Sequence, residues 1–359
     1  MTEIVAIDAG NGFTNGVRKL KNRYKSIGFP SVRASVTGES LGLGDGLEMQ
    51  VDYIQHGDFR YVVGDDVFIS RRAVERHQGH LRYGNELWSF LVSVALGQLM
   101  PKAGGEVDLT VFAPPELYVD ARKQILQRME TQNHQFQVQF RDDEESRIFT
   151  VQHLTVHPEG IGAVGAFALD EDGQPVAADI LTGETVVLDA GMYTLDALQM
   201  SNGNFNPESL SNATWEGQGI KAHILDPVLR VVKKQGDDFT LLTENDVDRT
   251  LRQGLTTGDY TLTSGGSSID IKPAVDKYAL RYADWISNNI IDGVFNGLRG
   301  IKSMILVGGG TSLIQPHLLS YYGDNKILDA SQHAHVADVA PTDLNAVGGI
   351  RLALARQKA

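Results

Sequence analysis

The chain has 359 residues, 42% of them hydrophobic and 8% aromatic, so it carries core material for two domains rather than one. Its formal net charge of -13 argues against a broad nucleic-acid-binding surface, and any connection to DNA would run through a partner. The absence of cysteine excludes disulfide scaffolds, thiolate zinc sites and cysteine nucleophiles.

The N-terminal MTEIVAID begins a strand almost at once and leaves no room for the basic and apolar regions of a leader. No apolar run approaches the roughly 20 residues of a membrane span, so a cytoplasmic protein with no membrane partner is expected. After the first strand, GNGFTNGVR supplies a Gly-rich turn and renewed alternation, which predicts a hairpin. Tyr24 to Val36 reads as extended chain, because Pro30 biases Phe29 away from helix. Gly and Asp crowd Gly38 to Asp52, a loop, and FRYVVGDDVF (Phe59 to Phe68) returns as a strand. Residues 35 to about 82 are therefore expected to form a small insertion.

Leu87, Phe90, Leu91, Val94 and Leu99 recur at helical spacing and predict a buried helix ended by Pro101. A strand follows at VDLTVFAPP, then a helix from about Val119 to Glu130. QFQVQF and RIFTVQHLTV predict a hairpin with the acidic run Asp142 to Glu145 at its tip, a solvated turn rather than a cation site. HPEGIGAVGAFAL carries small residues at helical spacing, and its glycines each weaken a helix by up to about 1 kcal/mol relative to Ala. Close approach of another backbone, as in a hinge helix between domains, would explain them.

A surface loop leads to the second hairpin, VVLDAGMYTLDAL. Beyond it lie a Gly-rich turn at Gly217 and Gly219, an amphipathic helix, and a polar stretch from Leu241 to Gly265 read as a second small subdomain. Val275 to Leu298 is the longest helical pattern. It feeds a strand, three consecutive glycines (Gly308 to Gly310) and a helix. In PTDLNAVGGIRLAL, Thr342 or Asp343 can cap a last helix with small residues on one face.

The two hairpins have one chemical logic. In each, an apolar strand ends in Asp (Asp8, Asp189) before a Gly-rich turn. Gly lets backbone N–H groups approach phosphate oxygens, and a carboxylate at the strand end can hold hydrated Mg²⁺, which usually takes only one or two carboxylates plus waters and phosphates. Two such hairpins could clamp one nucleotide phosphate tail.

The order of these motifs, carried by LTVHPEGIGAVGAF, VVLDAGMYTLDAL, MILVGGGTSLI and DLNAVGGIRLAL over essentially the whole chain, resembles the actin-like ATPase superfamily, and within it the plasmid-segregation actins of the ParM group. The resemblance implies an α/β, ribonuclease H-like fold of two domains with a nucleotide cleft between them. Domain I would be 1–168 plus 341–359 with the insertion at about 35–82, and domain II 169–340 with a small subdomain at about 216–272.

Carried over, Asp8 and Asp189 would serve Mg²⁺, through water. Gly10, Asn11, Gly12, Phe13 and Thr14 would lie on the β and γ phosphates, and Gly191, Met192, Tyr193 and Thr194 on phosphate from the other domain. Glu159 would position the attacking water, and Gly308, Gly309, Gly310 and Thr311 would flatten against adenosine. The sequence departs from the pattern at Met192, where a second glycine is common, and at Asn15, where conventional actins place a lysine.

The implied activity is hydrolysis of ATP, or equally GTP, coupled to self-assembly into filaments that disassemble after hydrolysis. The implied role is segregation of plasmid or other DNA through a DNA-binding adaptor. A non-polymerising member of the superfamily is the alternative, either a small-molecule kinase or a chaperone-like ATPase. No kinase base can be picked out, and the chain stops at Ala359 with no peptide-binding region after it. RLALARQKA is too short for a membrane anchor. A dinucleotide oxidoreductase fails because GNGFTNG does not fit G-x-G-x-x-G. Several residues keep a bland reading: Glu159 as a helix-start residue, Asp196 as a strand end, Glu216 and Lys221 as an exposed helix start, and His157 as a packed imidazole.

Overall fold

The computed structural model describes residues 2–21, 23–36, 53–69, 73–76, 82–206, 213–324 and 326–358. The loop expected over Gly38 to Asp52 lies outside them. The chain divides into two compact units, Met1–Gln174 with Asp343–Ala359, and Pro175–Thr342.

Among its described residues the first unit has nine strands: β1 (Glu3–Ala9), β2 (Phe13–Leu20), β3 (Arg23–Pro30), β4 (Arg33–Ser35), β5 (Ile54–His56), β6 (Phe59–Val63), β7 (Gly105–Ala113), β8 (Gln135–Phe140) and β9 (Arg147–Pro158). They form one sheet in the order β3-β2-β1-β7-β9-β8-β5-β6-β4. The β1, β7 and β9 strands run parallel at its centre. The FRYVVGDDVF segment is a strand only as far as Val63. Gly64 takes φ 67°, and the two aspartates that follow open a short helix, α1 (Asp65–Ile69).

Side chains alternate across a strand, so Val5 and Ile7 of β1 point one way and Ala6 the other. On the first face lies α2 (Glu86–Leu99), buried along nearly its whole length and capped by Asn85, whose side chain accepts from Trp88 N at 2.8 Å. Also in unit 1 are α3 (Tyr118–Thr131) and α4 (Ile161–Ala168). At the β8–β9 tip, Asp143 pairs with Arg147 at 2.7 Å, and that ion pair holds its carboxyl below the usual carboxylate range. The acidic run is thus a structured turn.

The second unit carries β10 (Glu184–Ala190), β11 (Thr194–Ser201), β12 (Asn204–Phe205), β13 (Ala213–Glu216), α5 (Asp226–Val232), α6 (Glu244–Thr257), β14 (Thr261–Ser264), β15 (Ser267–Asp270), α7 (Lys272–Ile286), β16 (Ile301–Val307), α8 (Thr311–Tyr322) and β17 (Ile327–Leu328). Its main sheet runs β12-β11-β10-β16-β17, with β13 also on β11. The α6 to β15 segment shares one core with the rest of the unit, since Val247, Leu251 and Leu262 join Leu188, Ile224, Tyr282 and Ile305's neighbour Met304 in a single apolar cluster.

The chain returns to the first unit in α9 (Leu344–Lys358), which lies on the Ala6 face of the sheet. The two small-residue helices meet each other: a methyl on Gly348 would stand 1.6 Å from the Gly162 carbonyl oxygen, and one on Gly162 would stand 2.1 Å from that of Asn345. The glycines that a hinge would have explained are required by this α4–α9 crossing. Helix α9 also serves both ends of α4. Asn345 Oδ1 accepts from the Gly160 and Ala163 N–H groups at 3.0 and 3.3 Å, and Arg351 Nη1 donates to the Ala166 and Leu169 carbonyls at 2.5 and 2.7 Å.

Candidate functional site

In open α/β sheets, ligands gather outside the carboxyl ends of parallel strands. Asp8 is the next-to-last residue of β1, and Glu159 directly follows β9, two strands away in the same parallel set. Strand β9 runs through Pro158 and α4 starts only at Ile161, so Glu159 is a strand-end residue and not a helix cap. It is 8% exposed, its N–H donates to the Ala113 carbonyl at 2.7 Å, and its Oε1 accepts from the Tyr83 hydroxyl at 3.3 Å.

The Asp8 carboxylate accepts from Asn345 Nδ2 at 3.3 Å. Burial pushes its pKa up to about 6, with the Asn345 hydrogen bond and the Arg82 charge pulling the other way. Arg82 is 3% exposed. It donates to the Ala9 carbonyl and, at 3.4 Å, to Asn11 Oδ1. Burial lowers its pKa, opposed by Tyr83, Glu159 and Asp8. His157 faces Arg356, and burial with that charge holds it down at about 4, a neutral packed imidazole at pH 7.

The first turn is held by its oxygens. Ser31 donates from Oγ to the Gly10 carbonyl at 2.7 Å and from its backbone to that of Gly12 at 2.9 Å, while Arg82 takes that of Ala9. What Gly10 and Gly12 can offer a ligand is then their N–H groups. Phe13 and Thr14 are already in β2. The buried Thr14 hydroxyl shares a hydrogen bond with Ser31 at 2.9 Å.

The second unit repeats the construction. Asp189 stands one residue from the end of β10, which is parallel to β16, with Asp189 opposite Val307. The carbonyls of the turn are again taken. Ala190 accepts from Gly310 N at 3.0 Å, Gly191 from Ile220 N at 3.0 Å, Met192 from Lys221 N at 2.9 Å and Tyr193 from Gly217 N at 2.9 Å. Gly219 permits this, because a methyl there would lie 2.6 Å from the Met192 backbone. Met192 itself packs against the core. Thr194 donates to Asp196 at 2.8 Å and Thr214 does so at 2.5 Å, so Asp196 is a buried brace of the hairpin. His223 stacks on Tyr282, whose buried phenol is pushed up and donates to the Gln218 carbonyl at 2.6 Å.

The glycine run has a partly internal cause. Gly308 has φ 88°, and a methyl there would stand 2.3 Å from Asp189 Oδ1, while one on Gly310 would meet Ala190 at 2.9 Å. Gly309 is different, since a methyl there would meet only Ile220 Cδ1, at 3.8 Å. Thr311 is buried, with its hydroxyl unpartnered among the described residues.

Each unit thus brings its predicted carboxylate and turn together, and in unit 1 Glu159 shares the strand-end edge with Asp8. Arg82, Ser31, Tyr83 and Asn345 also lie around Asp8, Glu159 and the first turn, and sequence reading missed them. Only Asn345 lay within a motif singled out, as part of the DLNAVGG helix.

Residues 6–162 match the family described as the actin like proteins N terminal domain. The whole chain has the actin-like fold. More particularly, it superposes on Bacillus thuringiensis ParM with ATP (14% identity, 100% of both chains, TM-score 0.71) and on the ParM of a 15-stranded filament from Clostridium botulinum (21% identity, 99% of both chains, TM-score 0.69). It also superposes on an archaeal actin homologue in complex with ADP (17% identity, 100% of both chains, TM-score 0.68). No curated protein matches the chain in sequence. Among the described residues, no helix is long and apolar enough to cross a membrane.

Proposed function

We propose that the chain binds and hydrolyses a nucleoside triphosphate, ATP or GTP, and assembles with copies of itself into filaments. The observation that carries the nucleotide reading is the shared construction of the two turns: the protein engages the Gly10 and Gly12 carbonyls in the first and the Ala190 to Tyr193 carbonyls in the second, so backbone N–H groups are what these residues turn toward an anion, except that of Gly191, which donates to the Thr194 carbonyl at 3.0 Å. In this reading the N–H groups of Gly10 to Gly12, Met192 and Tyr193 bind phosphate oxygens, Gly191 shapes the second turn that presents them, and Gly309 leaves room for a flat base or sugar. Glu159 orients the attacking water, since phosphoryl transfer rests on positioning and charge stabilisation.

Magnesium fits the donors present. Asp8 is a carboxylate raised by burial with an amide as its hydrogen-bond partner, and no cluster of three or more ligating side chains occurs among the described residues. Such a site suits a cation that takes one or two carboxylates and completes its shell with water and phosphate. Asp8 and Asp189, each at the strand end of its own unit, are the carboxylates available to it, and it would neutralise charge on the phosphates.

Self-assembly is supported by fold alone, through likeness to a ParM solved as a filament. The heterologous head-to-tail contact of such assemblies generates an open helix. Segregation of plasmid DNA through an adaptor is the cellular role we assign to it, the net charge of -13 favouring an intermediary over direct DNA contact.

The test is 90° light scattering of the purified protein with Mg-ATP, Mg-GTP, ADP or no nucleotide, followed by negative-stain microscopy. A nucleotide-dependent rise with filaments in the images supports the reading and identifies the base. A flat trace with measurable hydrolysis would leave a non-polymerising ATPase.

A further inference from the structure

The first unit contains a buried cation that its described carboxylates do not neutralise by contact. Arg82 has five N–H donors. The described structure engages two of its nitrogens, with the Ala9 carbonyl and, at 3.4 Å, the Asn11 amide oxygen, both uncharged acceptors. Its Nε is buried with no partner among the described residues. No described carboxylate forms an ion pair with it, although Asp8 and Glu159 both act on its charge through space.

Burying a guanidinium this way is costly, because a desolvated charge needs an opposite charge or a full set of hydrogen bonds. The cost is met when an anion with several oxygens arrives, and a planar fork is suited to two oxygens of one phosphate. The position is also telling. Arg82 holds both Ala9 and Asn11, the residues flanking Gly10 in the turn, and shares its surroundings with Asp8 and Glu159.

We propose that Arg82 is a catalytic residue that contacts the terminal phosphate of the bound nucleotide and stabilises the charge that develops there during its transfer to water. The proposal rests on the nucleotide reading above. It assigns to Arg82 the positive charge that the first turn lacks, since Asn15 on β2 carries none. The step is the ordinary one: the water oxygen forms a bond to the terminal phosphorus, the bridging oxygen leaves with the nucleoside diphosphate, and the water's proton passes to solvent or phosphate. Arg82 forms no covalent bond in it.

The experiment compares wild type with Arg82→Ala and Arg82→Lys. Affinities for ADP and for a non-hydrolysable ATP analogue are measured by fluorescence titration, with thermal midpoints of the nucleotide-free proteins and single-turnover ATP hydrolysis. The expected result is selective. ADP affinity stays within a few-fold, affinity for the triphosphate analogue falls about 10- to 100-fold, and turnover falls on the order of 10³-fold. Arg82→Lys, which keeps the charge but not the fork, recovers part of both.

Parallel loss of ADP and triphosphate affinity, or an unchanged ratio between them in either variant, would overturn the proposal and leave Arg82 as a brace of the turn. If Arg82→Ala does not fold, the ratio in Arg82→Lys decides. Wild type that binds neither nucleotide overturns the nucleotide reading itself, a different failure from wild type that binds both while the variants keep its ratio.

Discussion

Asn345 joins Asp8 to the start of helix α4: its Nδ2 donates to the Asp8 carboxylate at 3.3 Å while its Oδ1 accepts from the Gly160 and Ala163 N–H groups. One amide side chain therefore does two tasks, capping a helix whose own N-cap residue, Gly160, has no side chain and orienting the carboxylate at the end of β1. Asn345→Ala should remove the cap and cost about 1 to 2 kcal/mol, read from the urea midpoint. Asn345→Asp should restore the cap but set a second carboxylate against Asp8. It is expected to recover the stability lost in the alanine variant at low pH more fully than at neutral pH. Equal behaviour of the two variants across pH would mean that the side chain does not link the helix to Asp8.

The contact of α4 with α9 leaves no room for a methyl. Gly348→Ala would gain up to about 1 kcal/mol of helix propensity. It would also place Cβ 1.6 Å from the Gly162 carbonyl oxygen, backbone that cannot swing aside. The overpacking dominates, and a net loss of about 1 to 3 kcal/mol or more is expected in urea unfolding. A neutral or stabilised Gly348→Ala would show that the helices cross less closely.

What the sequence disclosed and what it concealed divide by distance along the chain. The β1–β2 and β10–β11 hairpins, α2 and α3 were legible because apolar periodicity and turn residues are local signals. Residues whose roles come from distant contacts were not. Asn345 meets Asp8 across 337 positions, and Arg82 meets Asn11 across 71. Nothing in HLRYGNE marks its arginine as buried. The glycines show the same limit: Gly162, Gly308 and Gly310 were visible as small residues, but their neighbours, Asn345, Asp189 and Ala190, were not. Glu159 was placed on the helix because Pro158 commonly opens one, yet pairing of β9 with β7 extends the strand through that proline.

Asp8 should make the fold sensitive to pH. Burial raises its pKa from 3.8 to about 6, so the native state binds the proton more tightly than the unfolded chain. Its contribution to stability is then complete below about pH 4 and is lost as pH rises through about 6. Asp8→Asn removes the buried charge. Without nucleotide or metal, its stability relative to wild type should grow between about pH 4 and pH 6 and level off above about pH 7. Paired urea titrations measure that difference, and a gap that stays constant would assign Asp8 an ordinary, solvated carboxyl.

Glu159→Gln keeps the shape and an acceptor for the Tyr83 hydroxyl but removes the negative charge that would orient and polarise water. Hydrolysis in single turnover is expected to fall about 10²- to 10⁴-fold. Nucleotide-dependent light scattering should persist, and decay more slowly, because binding does not use this carboxylate. Hydrolysis at the wild-type rate would remove Glu159 from the chemistry.

The glycine run separates packing from binding within three residues. Gly308→Ala must hold φ 88° and bring Cβ to 2.3 Å from Asp189 Oδ1, so it should both destabilise the second unit and displace that carboxylate. Gly309→Ala meets only Ile220 Cδ1 at 3.8 Å, an ordinary contact, and the unfolding midpoint should stay close to that of wild type. If the flat part of a nucleotide lies on this loop, the same methyl intrudes on it, and nucleotide affinity should fall while stability does not. A Gly309→Ala protein that binds nucleotide as tightly as wild type would place the base elsewhere and leave the glycine run explained by the close approach of β10 alone.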